Sequence, residues 1–221
     1  MAGLNVGSQH CPCPLQQHPT TLVALTGGPG AGKTAVLEIA LRTFCHHVAV
    51  LPEAASMVFG GGFPRYDALP AREAAQRAIF FVQRELERLA LADGHLAVAL
   101  CDRGTIDGLA YWPGSPADYW RDVGSSHPAE LARYHAVIHL ETPAAEHGYN
   151  HQNQHRIETP AEARALDQRI QAAWQDHPRR FIVPSRADFL EKVFEALKLI
   201  RAQLPACCSP GLTQENGEPN R

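Results

Sequence analysis

The sequence predicts an α/β fold, a parallel sheet flanked by helices, and three observations carry that expectation. Short apolar runs alternate with longer segments of helical periodicity, the runs are apolar on both faces, and a glycine-rich turn follows the first of them. The runs are Thr21–Thr26, His47–Leu51, Leu96–Cys101, Ala136–Leu140 and Arg180–Val183, which makes five strands. Helices are expected at 33–44, 70–93, 161–175 and 187–204. The last of these carries Leu190, Val193, Phe194, Leu197, Ile200 and Leu204 at helical spacing and stops at Pro205. Such crossovers are right-handed and place ligands at the carboxyl ends of the strands.

Composition sets the bounds. With 221 residues, 45% hydrophobic and 19% charged, the chain can bury one sizeable core. A formal charge of −3, from 20 Lys plus Arg against 23 Asp plus Glu, argues against a dedicated nucleic-acid binder. No run approaches the ~18 apolar residues of a membrane helix, and Met1 to Pro19 has no basic region followed by an apolar stretch, so a cytoplasmic protein is expected. Residues 1–19 and 205–221 are rich in proline and glycine and read as loose, disordered tails around a single folded domain at 20–204. Six cysteines are too few for a disulfide scaffold, and Cys45 and Cys101 lie in apolar segments that favour buried, reduced thiols. Cys11, Cys13, Cys207 and Cys208 can pair or bind metal only if the two tails meet.

The first strand leads into Gly27-Gly28-Pro29-Gly30-Ala31-Gly32-Lys33-Thr34, a complete G-x-x-x-x-G-K-T with an apolar helix behind it. Gly28, Gly30, Ala31 and Gly32 offer backbone N–H groups to phosphate oxygens, and Pro29, which has none, completes the cofactor-binding loop. Lys33 reaches the β and γ phosphates, and the Thr34 hydroxyl is a ligand for Mg²⁺. The third strand ends in Asp102, placed to hold the metal directly or through water; a helix N-cap is the competing reading. Arg103 follows, as a phosphate contact or as the partner of a neighbouring carboxylate. Glu53 ends the second strand after Pro52, where a carboxylate can take a proton from an attacking hydroxyl, or else stabilise a helix start. Gly60-Gly61-Gly62-Phe63-Pro64-Arg65 has the composition of a substrate loop, or of a plain connector.

Together these residues resemble the NadR/Ttd-type AAA-like ATPase domain, a group of P-loop proteins similar to nucleoside and nucleotide kinases. The matching stretches are Gly27 to Thr34, Leu51-Pro52-Glu53-Ala54-Ala55 and Asp102-Arg103-Gly104, then Tyr149 through Asn153, Arg156 and Glu158 to Leu166-Asp167 and Trp174 to Arg179. The resemblance implies strand order 2-3-1-4-5, ATP or GTP with Mg²⁺, and a lid whose Arg156 completes the site. His147, His151 and His155 in that lid stand at i, i+4 and i+8, a zinc spacing on a helix, although solvated histidines are the simpler reading. Two functions are open. One is a kinase moving the γ-phosphate to a small-molecule hydroxyl near Glu53 and Arg65, with Lys33, Asp102, Arg103 and Arg156 as catalytic groups. The other is an ATPase or GTPase switch that signals to a protein partner without a small acceptor.

Overall fold

The computed structural model describes residues 4–11, 13, 17–143, 159–186 and 188–208. Its sheet has six strands in the order β1-β3-β4-β2-β5-β6. They are β1 Asn5–Val6, β2 Thr21–Thr26, β3 Val48–Leu51, β4 Val98–Asp102, β5 Tyr134–Leu140 and β6 Arg180–Val183. The five strands read from the sequence are all present and all parallel, in the expected order 2-3-1-4-5.

The sixth strand corrects the reading of the amino-terminal segment as a loose tail. Asn5 and Val6 pair antiparallel with Val50 and Ala49. Beyond them the Gly7 amide donates to Val48 O (2.8 Å), Ser8 to Leu41 O (2.8 Å) and Gln9 to Phe44 O (3.1 Å). The edge of β3 has unpaired backbone groups to satisfy, and a strand of two residues does so without apolar periodicity to announce it. At the other end Ala206–Cys208 form a 3-10 turn with Cys208 buried, so residues 205–208 are docked as well.

Alternation along β2 sorts the core into two layers. Val23 and Leu25 face α1 (Lys33–Thr43) and α8 (Phe189–Arg201), while Leu22 and Ala24 face Ile106, Ile170 and Trp174. Helix α3 (Leu69–Asp93) and helix α7 (Pro160–Ala173) match their expected spans within two residues, and α7 opens on a capping box between Thr159 and Glu162. Four short helices add to the expected spans, α2 (Ala54–Gly60) and α4 (Gly108–Tyr111), whose neighbourhoods entered the reading only as competing helix starts for Glu53 and Asp102, and α5 (Pro116–Val123) and α6 (His127–Leu131), which were not anticipated. At eight residues or fewer they carry too little periodicity to stand out.

Helix α8 also departs from its expected face. Lys192, Val193, Ala196 and Ile200 are buried, whereas Leu190 and Phe194 are 59% and 68% exposed. The stripe turns toward the glycine-rich loop because the Lys192 ammonium finds acceptors there, on Ala31 O (2.8 Å) and Glu141 O (2.5 Å).

Removing residues 1–9 takes away the pairing of β1 with β3 and four further backbone bonds, the three above and the one from the His46 amide to Gln9 O. Those four alone, at about 1 kcal/mol each, are worth about 4 kcal/mol of stability, and Tm in a calorimetric scan should fall by roughly 8–16 °C. An unchanged Tm would show that the edge strand contributes nothing.

Candidate functional site

The glycine-rich loop between β2 and α1 is shaped by backbone that only glycine adopts easily. Gly32 sits at φ 94° as the cap of α1, and a Cβ there would lie 2.6 Å from the Phe189 ring. Behind the loop, Lys33 is buried and donates to Gly27 O (2.8 Å) and Gly28 O (3.1 Å). Burial lowers its pKa to about 8; the Arg103 guanidinium adds to the shift, while Asp102, Glu53 and Asp107 oppose it. The exposed Thr34 opens the helix beside it.

Two buried carboxylates fix this frame from behind. Asp167 on α7 accepts from the Gly28 amide (2.6 Å), the Thr142 amide (3.2 Å) and His139 Nε2 (3.1 Å). Burial alone would raise its pKa, but these donors hold it below the ordinary value. Asp107 accepts from Thr26 Oγ1 (2.6 Å), Trp174 Nε1 (2.6 Å) and Arg103 Nη1 (3.3 Å), and so ties the end of β2 to β4 and to the segment after α7. Asp107 and Lys192 were not singled out from the sequence. Asp167 and Trp174 were quoted there only within the family-like stretches.

Each strand-end residue can now be placed. The helical turn after β4 starts at Gly104 and takes no side-chain cap, which removes the capping reading of Asp102. Its Oδ1 is buried with no hydrogen-bond partner, and burial raises its pKa against the pull of Lys33 and Arg103. An orphaned carboxylate oxygen beside a phosphate loop fits a ligand for a hard divalent cation. Arg103 pairs with carboxylates, as one of its two readings held. Its Nε donates to Glu53 Oε1 (2.7 Å) and its Nη1 to Gly27 O (3.1 Å). It is also the one non-glycine residue at positive φ among the described residues, at 70°.

Glu53 occupies the N-cap position of α2 without capping it. Its carboxylate accepts from Arg103 and from Ser56 Oγ (2.5 Å) instead. Burial raises its pKa, but Arg103, Ser56 and Lys33 together bring it below the ordinary range. Glu53 is thus an anchored anion rather than a poised proton acceptor. Arg65, in the exposed loop after α2, stacks 5.1 Å from the Phe59 ring. Arg156 and the His147, His151 and His155 series lie outside the described residues.

A family model described as an AAA domain matches residues 22–192, nearly the whole of this frame. The chain belongs to that family. Among solved structures, it is similar to NadR in complex with NAD and AMP-PNP (12% identity, TM-score 0.58, covering 84% of this chain and 49% of that one). It is also similar to NadR in complex with NR (13% identity, TM-score 0.61, covering 86% and 53%). The chain spans about half the length of those proteins, and at such identity the likeness is one of fold. No curated protein is significantly similar to it in sequence. The domain thus has an AAA-type fold that it shares with NadR, and no helix among the described residues is long and apolar enough to cross a membrane.

The buried ammonium makes a pH prediction. A Lys33 pKa of about 8 in the free protein rises when phosphate charge arrives, so the bound state holds more protons. Nucleotide affinity should therefore fall as pH rises through 8 and beyond, by up to tenfold per unit. Isothermal titration between neutral pH and the alkaline limit of folding would show this slope, and Lys33→Met should abolish it along with most of the affinity.

Proposed function

We propose that this chain is an ATP-dependent phosphotransferase of the nucleoside and nucleotide kinase type, moving the γ-phosphate to the hydroxyl of a small molecule. The observation that carries the reading is the Arg103–Glu53 pair, which sets a cation and an anion at neighbouring strand ends, tied to Gly27 of the phosphate loop. A hydrolase switch needs only to position water, whereas a kinase needs a place for an acceptor as well, and β3 and α2 supply its wall.

Phosphoryl transfer passes through a loose transition state with charge spread over the equatorial oxygens, so positioning and neutralisation do most of the catalysis. The loop amides of Gly30, Ala31 and Gly32 and the Lys33 ammonium would hold the β and γ phosphates. Thr34 and Asp102 would hold Mg²⁺, which would supply positive charge to offset that of the phosphates. Arg103, kept protonated by Tyr111, Asp107 and Glu53 although burial opposes it, would face the transferring group. Glu53, ionised at neutral pH, would orient the acceptor hydroxyl; a loose transition state asks little proton abstraction of it. Arg156, which the family resemblance implies as a further cation of the site, would add its charge to that of Lys33 and Arg103. The similarity to a NadR structure holding NR makes a riboside the first acceptor class to try.

The switch reading keeps one observation in its favour. Met57, Tyr66 and Leu69 beside the candidate acceptor wall are 46%, 68% and 58% exposed, an apolar surface a protein partner could cover.

The deciding experiment is transfer from γ-labelled ATP across a panel of nucleosides, nucleotides and ribosides with and without Mg²⁺. We expect one acceptor class to be phosphorylated, Glu53→Gln to lower that transfer by about 10² with nucleotide Kd unchanged, and Asp102→Asn to weaken Mg²⁺ dependence. Hydrolysis with no acceptor labelled would favour the switch, and equal rates for Glu53→Gln would remove Glu53 from the mechanism.

A further inference from the structure

At the amino end of the sheet the two terminal segments, expected to be loose, meet and bring together five of the six cysteines and two histidines. Two sets of four donors result. Cys11, Cys45, His47 and Cys208 form one, all buried, with one donor atom from each lying within 4.8 Å of the others. Cys13, His18, Cys207 and Cys208 form the second under the same limit, and Cys208 belongs to both. We propose that this knot is a structural zinc centre holding two ions, with the Cys208 sulfur as their common ligand.

The distances are those a tetrahedral metal would impose. With Zn–S near 2.3 Å and Zn–N near 2.0–2.1 Å, tetrahedral angles put sulfurs about 3.8 Å apart and a sulfur about 3.5 Å from a nitrogen. Cys11 Sγ lies 3.9 Å from Cys208 Sγ, and Cys208 Sγ lies 3.9 Å from Cys207 Sγ. His47 Nδ1 stands 3.4 Å from Cys208 Sγ in the first set, and His18 Nε2 stands 3.6 Å from Cys13 Sγ and 4.0 Å from Cys208 Sγ in the second. A disulfide would need sulfurs at about 2.05 Å, and all six cysteines are free thiols.

Chemistry supports the metal over a simple thiol cluster. Cysteine at an ordinary core position is a small hydrophobe packed among other hydrophobes. Here two imidazole nitrogens point at one buried sulfur, and a thiol is too weak a hydrogen-bonding group to satisfy both. A thiolate and imidazole set with no carboxylate is a soft, zinc-type donor set. Each thiol loses its proton to solvent as its sulfur–zinc bond forms, and no oxidant is involved.

The backbone around the knot is built for close approach. Gly7 lies so near the Phe44 and Cys45 carbonyls that a Cβ would collide with both. Gln9 makes an isolated bridge to Cys45, the His46 amide donates to Gln9 O (3.2 Å), and the His18 amide donates to Gly94 O (2.9 Å). Separate stretches of chain are gathered at one point: residues 11 and 13, residue 18, residues 45–47 and residues 207–208. Six-residue β2 separates this point from the phosphate loop by about 20 Å, so the centre is structural and takes no part in phosphoryl transfer.

The test is elemental analysis of the full chain purified under reducing conditions without added chelator, with thiol titration alongside. We expect about two zinc ions per chain, thiols that react slowly until a chelator is added, and a Tm that falls when zinc is stripped and recovers when zinc alone is returned. Cys13→Ser should leave one zinc, Cys208→Ala should lose both, and Cys101→Ala, outside the knot, should keep both. Cobalt added to the stripped wild-type chain should give thiolate charge-transfer absorption, a readout that does not depend on any variant folding. No zinc in the purified chain and none taken up on reconstitution would overturn the centre, as would a disulfide among these cysteines in non-reducing mass spectrometry. A single zinc in the wild-type chain would overturn the shared Cys208.

Discussion

Three cations buried at the carboxyl end of the sheet set the terms for everything around them. Lys33 and Lys192 are each less than a tenth exposed, and the Arg103 side chain is 14% exposed. Removing such charges from water costs several kcal/mol apiece unless acceptors replace the lost solvent. The acceptors are supplied from every element that reaches the site: carbonyls of Gly27, Gly28, Ala31 and Glu141, and carboxylates of Glu53 and Asp107. Burial brings both lysines to a pKa of about 8, near the point where the charge would be given up. A site in this condition gains from an incoming polyanion, since phosphate oxygens can take over ammonium bonds now made to backbone carbonyls.

How much of this was legible in the sequence follows from how local each signal is. The phosphate loop and the five parallel strands were readable because each is written in a few consecutive residues. Asp102, Arg103 and Glu53 were readable by position at strand ends, although which of their alternative roles applied depended on partners far along the chain. Asp107 could have been suspected, standing five residues after Asp102 in a segment too short to be a full helix. Lys192 breaks an apolar helical pattern and was passed over for that reason, yet a lone lysine amid a buried stripe is itself a sign that an acceptor waits beneath it.

The amino-terminal segment failed to read for the opposite reason. Its strand is two residues long, and its anchoring is by backbone bonds, which leave no mark on side-chain periodicity. The cysteines were visible as a count but not as a cluster, because Cys11 and Cys208 are separated by nearly the whole chain and meet only once β3 and α8 have been placed. Contacts of this sequence separation close large loops and can only be inferred after the topology is known.

The backbone at Arg103 shows how the two halves of the site constrain each other. A side chain at φ 70° carries a strain on the order of 1–3 kcal/mol, and such strain persists only where the surroundings over-determine it. Here the residue's own amide continues the sheet by donating to Leu25 O (3.1 Å), while its guanidinium is held by Glu53, Gly27 and Asp107. A relaxed backbone would keep the first bond only by swinging the guanidinium away from the loop. The left-handed turn is therefore what lets one residue both continue the sheet just beyond β4 and turn its guanidinium toward the glycine-rich loop. Asp107, fixed in turn by Thr26 and Trp174, resists any other arrangement. The cation is thus fixed beside the glycine-rich loop by folding itself, and the transfer proposed for this site would ask no further reorganisation of it.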